Sequence, residues 1–351
     1  MFYVTFHGGR VSNAINNVHA YDVINGEPTC VTTAALQTPA KSPPLNELRD
    51  IVFGPGDRLY VINGYKDASQ VLVYNGKPDA DHTHAYLGIY ADARVSDGVV
   101  HPFALAFDGS DRAYVSSQDS NVVTALQAPG GVVKRARTLP LASFLKAQKG
   151  KRFLDGTFVA SSIGDLPASP RRAPSNLSRP VGLDVLFEAV PSKKKPKRRR
   201  VAHSVRDVVV CGTSLYVADE PGNTVKIYDL RNGKTQGQLQ GQIAAAQFLG
   251  APVHLLAQGE HLYIGSSATD TVLRYHLGTG ELRTVLSGVR TIAGMCFDNT
   301  GNFYVASRED RAIYHCGTDF SAPQPFISGL ADNPEFLVYA ASSASTLTST
   351  T

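Results

Sequence analysis

The chain has 351 residues, of which 43% are hydrophobic and 18% are charged, and its net charge is +4. This composition excludes a globally disordered protein and supplies apolar side chains for a large folded core. No apolar run approaches the roughly 20 residues of a membrane-spanning helix, so no membrane partner is expected. Strand-like residues begin at Phe2 without a secretory leader, and the four cysteines have no metal-binding spacing. Together these features predict reduced thiols and an intracellular, soluble, cytoplasmic protein.

The positive charge is concentrated in one segment near the middle of the chain. Seven of its eight residues are basic: Lys193, Lys194, Lys195, Lys197, Arg198, Arg199 and Arg200. Without this run the net charge of +4 becomes −3. The charge of the remaining chain therefore does not predict a nucleic-acid-binding surface.

From its first residues onward, the chain repeats a short pattern of a small or polar residue, an aromatic residue, Val or Ile, and a Gly/Ser/Asp-rich turn. The aromatic residue recurs at intervals of 41 to 58 residues, a spacing typical of a propeller, solenoid or array. The seven copies are at residues 2–4, 59–61, 113–115, 157–159, 215–217, 262–264 and 303–305.

The copy at residues 206–234 shows the repeating unit best. Residues 206–210, 215–218 and 225–228 are short apolar or alternating runs separated by turns, and Asn232-Gly233 is a hairpin signal. Four short antiparallel strands form one blade of a propeller. The sequence therefore predicts an all-β fold: a single closed β-propeller of seven four-stranded blades. The alternative is six blades, with residues 139–200 as an insertion.

The two ends of the chain predict how the ring closes. The chain starts on a second strand, and the apolar run at residues 335–339 is typical of a first strand with no second strand after it. We therefore expect the last strand to pair with the N-terminal blade, which removes exposed sheet edges. The propeller would occupy residues 1–341 as a monomeric ring, and residues 342–351 would form a flexible Ser/Thr-rich tail.

Three pairs of segments resemble NHL repeats: residues 50–54 with 59–64, 104–108 with 113–115, and 294–298 with 303–307. The resemblance implies a propeller, and NHL-like propellers include binding scaffolds, lyases and hydrolases. The copies depart from the repeat at Asp50, Asp207 and His254, where a small residue is usual. These departures are where we expect function.

In a propeller blade the first strand lines the central channel, and the connections between blades share one face with the turns between the second and third strands. We therefore expect ligand-binding residues at the mouth of the channel, with His7 and Glu309 on the same face. The candidates are Arg49, Asp50, His101, Arg206, Asp207, Asp219, Glu220, His254, Arg308 and Glu335.

These side chains are open to two interpretations. Carboxylates and imidazoles at a mouth are suited to a small polar ligand and to a divalent cation, Ca²⁺ or Mg²⁺. Alternatively, an Asp at a strand entry caps backbone amides, and Arg–Asp pairs link neighbouring blades. No spacing matches a zinc-protease helix, a Cys–His zinc site or a nucleophile elbow.

A further resemblance concerns enzymes. The turn at residues 219–223 is similar to turns in streptogramin lyase, a seven-bladed, metal-dependent propeller that uses His and Glu around its mouth. Gluconolactonase-type propellers need a Glu, Asn and Asp metal set. The resemblance implies a metal-assisted lyase or lactone hydrolase using His254, Glu335 and Asp207 as an alternative function. The favoured function is a binding scaffold that recognises a small polar ligand or a protein.

Two segments lie outside the regular repeat. Residues 163–182 form a Pro-rich excursion that predicts a lid, a partner-binding strap or an exposed loop. Residues 191–200 contain the basic run at a predicted hairpin tip opposite the mouth. Such a run predicts an import receptor or a polyanion as partner, and it predicts nuclear localisation if it is a nuclear-import signal. The alternative is a solvated loop without a partner.

Overall fold

The computed structural model describes residues 1–10, 12–38, 44–64, 69–92, 99–119, 121–126, 204–231, 236–245 and 247–341. Within these residues the chain forms 23 β-strands and no α-helix. In chain order the strands are β1 (Phe2–Phe6), β2 (His19–Ile24), β3 (Glu27–Thr32), β4 (Leu48–Gly54), β5 (Arg58–Asn63), β6 (Gln70–Asn75), β7 (Tyr86–Asp92), β8 (Pro102–Phe107), β9 (Ala113–Ser117), β10 (Val122–Leu126), β11 (Val205–Cys211), β12 (Ser214–Asp219), β13 (Thr224–Asp229), β14 (Leu239–Ala244), β15 (Pro252–Gln258), β16 (His261–Ser266), β17 (Thr271–His276), β18 (Leu282–Ser287), β19 (Ile292–Phe297), β20 (Phe303–Ser307), β21 (Ala312–His315), β22 (Gln324–Ile327) and β23 (Pro334–Tyr339).

The described strands form six antiparallel sheets, which are the blades of a β-propeller. In the order of hydrogen bonding they are β23-β1-β2-β3, β4-β5-β6-β7, β8-β9-β10, β11-β12-β13-β14, β15-β16-β17-β18 and β19-β20-β21-β22. We number them blades 1 to 6 in that order. Five blades have four strands, and three strands of blade 3 belong to the described part of the chain.

The first strands of the six blades surround a common axis. Strands β4, β8, β11, β15 and β19 each contact the next, and β23 contacts both β19 and β4. Strand β23 also pairs with β1, with Phe2 opposite Tyr339 and Val4 opposite Leu337. Blade 1 is therefore built from strands near both ends of the chain.

The prediction of seven blades was wrong, because the described residues form six. The predicted additional blade would lie between blades 3 and 4, but the innermost strands β8 and β11 contact each other directly. That contact leaves no space for another blade between these two strands. The copy of the repeat at residues 157–159 and the predicted strand at residues 185–187 lie outside the described residues.

The repeated aromatic–Val pattern lies on the second strand of each of the six blades. This strand is paired on both sides and its blade is covered by neighbours, so both of its faces are buried and its sequence is continuously apolar. Tyr60 and Tyr114 of this pattern are fully buried, as are Val61 and Val115 on the same strands.

The turns from β8 to β9 and from β19 to β20 share an Asp-centred hydrogen-bond network. Asp108 and Asp298 each accept hydrogen bonds from the backbone N–H groups two and four residues later, at 2.8 to 3.1 Å. The hydroxyls of Tyr114 and Tyr304 donate to the same carboxylates at 3.0 and 3.2 Å. Burial opposes ionisation, but the hydrogen bonds outweigh it and lower the pKa of both Asp side chains.

The remaining predictions about the chain have mixed outcomes. All four cysteines are free, and Cys296 and Cys316 are buried. The Pro-rich excursion at residues 163–182, the basic run at 191–200 and the tail at 342–351 lie outside the described residues. No described segment is a helix with the length and apolar character needed to cross a membrane.

Candidate functional site

The mouth of the propeller is the face on which the innermost strands begin. We define it by the side chains that the interblade connections, the strand starts and the turns after the second strands bring together there. They are His7, Glu47, Arg49, His101, Gln118, Asp119, Arg206, Glu220, Arg308 and Glu335.

A β-bulge near the start of each innermost strand sets the direction of its side chains. The pairing register shifts at this point in all six blades. In blades 1, 2 and 4 the bulged residues are the pairs at 335–336, 49–50 and 206–207. A bulge re-aims side chains that would otherwise alternate regularly. The first residue of each pair joins the mouth, and the second contacts the channel or the next blade.

Glu335 is the centre of one half of the mouth. Its side chain is 1% exposed, and its Oε1 lies 2.7 Å from His7 Nδ1, 2.9 Å from Arg49 Nη1 and 3.1 Å from Arg308 Nη2. Burial opposes the charged form, but the charges of Arg49 and Arg308 and the hydrogen bond from His7 outweigh it and hold the pKa of Glu335 well below its usual range. This carboxylate therefore joins blades 1, 2 and 6.

Glu47 extends the network from Arg49 to blade 3. Its Oε2 lies 3.2 Å from Arg49 Nη2 and 3.4 Å from His101 Nε2, and Asp119 Oδ2 lies 3.2 Å from His101 Nδ1. The hydrogen bond with His101 is the main reason that the pKa of Glu47 is lowered; burial opposes this effect and Arg49 supports it. The contacts of Glu47 thus couple blades 2 and 3.

Arg206 completes the network on blade 4. Its Nη1 donates to Gln118 Oε1 on blade 3, and its Nε lies 2.6 Å from Glu220 Oε2. Its guanidinium carbon also lies 5.0 Å from the centre of the Phe103 ring, within the range of a cation–π contact. The polar contacts at the mouth therefore run from blade 6 through blades 1, 2 and 3 to blade 4.

Two of these residues have a left-handed backbone. Glu47 has φ of 50° and His101 has φ of 52°, immediately before β4 and β8. Non-glycine residues adopt this conformation at a cost of about 1–3 kcal/mol. Ala251 and Thr291 have similar φ values, 49° and 47°, before β15 and β19. The conformation is therefore a property of the interblade connection rather than a distortion confined to the polar half of the mouth.

Three aromatic rings fill the channel below the polar side chains. The His254 and Phe336 rings are 4.2 Å apart in an edge-to-face arrangement, and Phe103 lies 5.4 Å from Phe336 and 6.0 Å from His254. His254 is buried, and its Nδ1 lies 3.6 Å from Asp207 Oδ2. The cluster gives the mouth an apolar floor.

Asp50 and Asp207 link neighbouring blades through their carboxylates. Asp50 accepts from the backbone N–H groups of Ile51 and Leu105, both at 2.8 Å. Asp207 accepts from those of Val208 at 2.7 Å and Leu255 at 2.8 Å. Burial and the charge of Asp207 raise the pKa of Asp50 well above its usual range. These contacts match the structural interpretation of the two Asp side chains.

The predicted site residues therefore separate into three groups. Arg49, His101, Arg206, Glu220, Arg308 and Glu335 come together in the polar network of the mouth. Asp50, Asp207 and His254 belong to the channel wall. Asp219 is buried in the β12–β13 turn, where Lys226 Nζ lies 3.1 Å from its carboxylate. A ligand-binding role for these residues stays a prediction.

Sequence reasoning missed several residues of the mouth and its floor. Glu47 precedes an innermost strand, as His101 does, and Gln118-Asp119 follow a second strand, as Glu220 does. These equivalent positions were signals that could have identified all three residues. Phe103 and Phe336 carry no such signal, because an aromatic residue in a buried strand is typical of an ordinary core.

The described residues do not fit the predicted Ca²⁺ or Mg²⁺ site. Among them, no three His, Cys, Asp or Glu side chains are arranged to hold a metal ion together. Glu335 Oε1 is surrounded by Arg49, Arg308 and His7, whereas Asp207 is bonded to backbone N–H groups. The pattern of contacts is that of ion pairs between blades.

No family model and no curated protein matches this sequence. Among solved structures, the chain is similar to the crystal structure of the computationally designed Ika8 protein. That similarity has 11% sequence identity and a TM-score of 0.45, and it covers 93% of this chain and 76% of the designed one. A likeness at this level carries no argument about function. The propeller fold is shown by the six sheets themselves, and membership of the NHL family stays a prediction.

Proposed function

We propose that this protein is a binding or scaffold propeller whose mouth recognises a small polar ligand or a protein partner. The observation that carries the proposal is the network of ion pairs between blades at the mouth. It holds charged side chains from five blades in fixed relative positions above a channel filled by aromatic rings. A preorganised surface loses less conformational entropy on binding than a flexible one does.

The alternative of a metal-assisted lyase or lactone hydrolase has less support. It assigned His254, Glu335 and Asp207 to one metal-binding set. In the fold His254 lies against Asp207 in the channel wall, whereas Glu335 is engaged by two guanidinium groups at the mouth. These three side chains serve different contacts and do not form one ligand sphere.

A thermal-shift screen tests the binding proposal. A ligand of the folded state raises the free energy of unfolding by about 2.7 kcal/mol at a concentration 100 times its dissociation constant. We expect a member of a panel of polar metabolites, or a protein captured from extract, to stabilise the wild type and to stabilise Arg206→Ala, Arg308→Ala or both less. The matched control is Arg283→Ala, because Arg283 is exposed and lies at the β17–β18 hairpin, on the face opposite the mouth.

Each result of the screen has a defined meaning. Stabilisation of Arg206→Ala and of Arg308→Ala equal to that of wild type would place binding away from both halves of the mouth and contradict the proposal. A rise in Tm with divalent metal ions, lost in His254→Ala, would favour the enzyme instead.

The basic run carries a separate proposal that is independent of the mouth. We infer from its composition that residues 193–200 address the protein to an import receptor or a polyanion. Replacing Lys193, Lys194 and Lys195 by Ala should redistribute the protein in cells or weaken its retention on heparin. Unchanged localisation and retention would contradict this assignment.

A further inference from the structure

The hydrogen bond between His7 and Glu335 fixes the orientation of the imidazole. Nδ1 lies 2.7 Å from Glu335 Oε1, 3.0 Å from Arg49 Nη1 and 3.2 Å from Arg308 Nη2. The shortest of these contacts is to a carboxylate oxygen and requires a proton between Nδ1 and Oε1. The pKa of Glu335 is well below its usual range, so that proton belongs to the nitrogen. The neutral ring of His7 is then the Nδ1–H tautomer, and its Nε2 is a hydrogen-bond acceptor.

The accepting nitrogen is available at the surface of the mouth. The His7 side chain is 43% exposed, and its Nε2 contacts no hydrogen-bonding group among the described residues. A buried carboxylate that holds one imidazole nitrogen and leaves the other to the outside is an arrangement suited to receiving a proton or a hydrogen bond.

Arg308 supplies donors on the Nδ1 side of the same imidazole ring. Its Nη2 lies 3.1 Å from Glu335 Oε1 and 3.2 Å from His7 Nδ1, and its side chain is 30% exposed. Its Nε and Nη1 contact no acceptor among the described residues. Nη2 has a second N–H, which together with Nε or Nη1 forms a guanidinium edge whose two donors match the two oxygens of a carboxylate. A phosphate carries more charge than this one edge compensates, and the nearby Glu309 disfavours it.

Two atoms below His7 and Arg308 also lack partners. Glu335 Oε2 and Arg49 Nε are buried and make no hydrogen bond with the described residues. Each unsatisfied buried group costs about 1–3 kcal/mol. Oε2 needs a donor and Nε needs an acceptor, and one water molecule supplies both beneath the ligand.

We propose that His7 and Arg308 are the ligand-contacting pair of the mouth and that they bind a small hydroxy acid. The carboxylate of the ligand accepts from Arg308, and its hydroxyl donates to His7 Nε2. Glu335 and Arg49 position the pair and do not contact the carboxylate. The assignment depends on the proposed binding function and narrows it to one chemical class.

Nitrogen NMR of the ¹⁵N-labelled full-length protein tests the orientation first. We expect the neutral His7 ring to give the signals of a proton on Nδ1 and an unprotonated Nε2. His7→Gln assigns the resonance by removing it. The opposite tautomer at His7 would overturn the proposal, because Nε2 would then be a donor.

Calorimetry tests the ligand class, with glycolate, lactate and gluconate as probes. At least one should bind the wild type, and acetate, which has no hydroxyl, should bind at least tenfold more weakly. Arg308→Gln and His7→Leu should each weaken binding by tenfold or more. Arg290→Gln should bind normally, because Arg290 is an exposed arginine at the mouth face paired with Glu309 and Asp310.

Three results would overturn the hydroxy-acid assignment: no binding of any of the three probes, equal binding of acetate, or unchanged binding in folded Arg308→Gln. The Tm of each variant establishes folding. If these probes fail but another metabolite or protein binds, and Arg206→Ala abolishes that binding, the proposed binding function of the mouth is supported. Only the assignment of a hydroxy acid as its ligand is then wrong. If nothing binds at the mouth, both proposals fail.

Discussion

At the scale of single residues, the most consequential side chain is the buried carboxylate of Glu335. A buried charge is tolerated only when it is paired and hydrogen-bonded. Glu335 meets this condition by collecting one donor from each of blades 1, 2 and 6. The same contacts fix His7 and Arg308, so a stabilising ion pair also prepares the proposed ligand-contacting pair.

Replacing Glu335 by Gln should destabilise the protein in a pH-dependent way. Removing one partner of a buried ion pair leaves the positive charge of Arg49 only partly balanced. The free energy of unfolding should therefore fall by about 3–5 kcal/mol at pH 7. The lowered pKa of Glu335 means that its contribution is present above the unfolded value of 4.5 and is lost as the pH falls toward the folded value. The difference in the free energy of unfolding between wild type and Glu335→Gln, measured by urea denaturation, should therefore become smaller below pH 4.5.

The control for this prediction is Glu281→Gln, because Glu281 is exposed and its ion pair within the described part of the chain is with Arg283 at the surface. We expect this substitution to change the free energy of unfolding little at any pH. A gap between wild type and Glu335→Gln that stays constant down to pH 3 would contradict the assigned electrostatics.

At the scale of elements, the β-bulges determine what the innermost strands contribute. Without a bulge, residues 49 and 50 or 206 and 207 would point to opposite faces of a blade. With it, one residue of each pair reaches the mouth and the other bonds to the backbone of the next blade. Sequence patterns identified Asp50 and Asp207 as unusual, but a bulge depends on pairing between strands and is not visible in one strand's sequence. Their structural role was therefore not separable from a ligand-binding one.

Gly294 tests how closely the innermost strands pack. A Cβ at this position of β19 would lie 2.7 Å from the Cα of Phe336 and closer still to the backbone nitrogen of Leu337 on β23. Backbone atoms cannot move aside as a flexible side chain can, so Gly294→Ala should reduce the free energy of unfolding by about 1–3 kcal/mol. Chemical denaturation gives this value directly.

Gly109→Ala is the matched control, because a Cβ at Gly109 meets no atom within 4 Å. Its stability should stay within about 0.5 kcal/mol of wild type. Equal stability of Gly294→Ala and wild type would show that β19 and β23 are further apart than described.

At the scale of the whole molecule, the number of blades is decided by contacts that the repeat alone does not contain. The aromatic–Val pattern predicted the second strand of all six described blades, because a strand that is buried on both faces needs a continuous run of apolar residues. The seventh copy, at residues 157–159, has the same pattern but lies outside the described residues. Only the direct contact of β8 with β11 shows that blades 3 and 4 are neighbours.

Blade 1 makes the whole fold depend on the last described strand. Ending the chain after Asn333 removes β23, which is the innermost strand of blade 1 and carries Glu335 and Phe336. We expect this truncated chain to lose its cooperative thermal transition. A chain that ends after Ala341 should keep it, since β23 is intact. Circular dichroism on heating distinguishes the two, and a cooperative transition in the shorter chain would contradict the prediction.

The pairing of β1 with β23 also has a consequence for how the protein is made. Strand β1 leaves the ribosome well before its partner at residues 334–339, which is synthesised more than 300 residues later. At about 5–20 residues per second, this delay is on the order of tens of seconds. During that time the apolar β1 has an unpaired edge, and the other blades can form in order behind it. Strand β1 is thus made early but is among the last strands to reach its final partner, and its unpaired apolar edge is the kind of surface that chaperones bind.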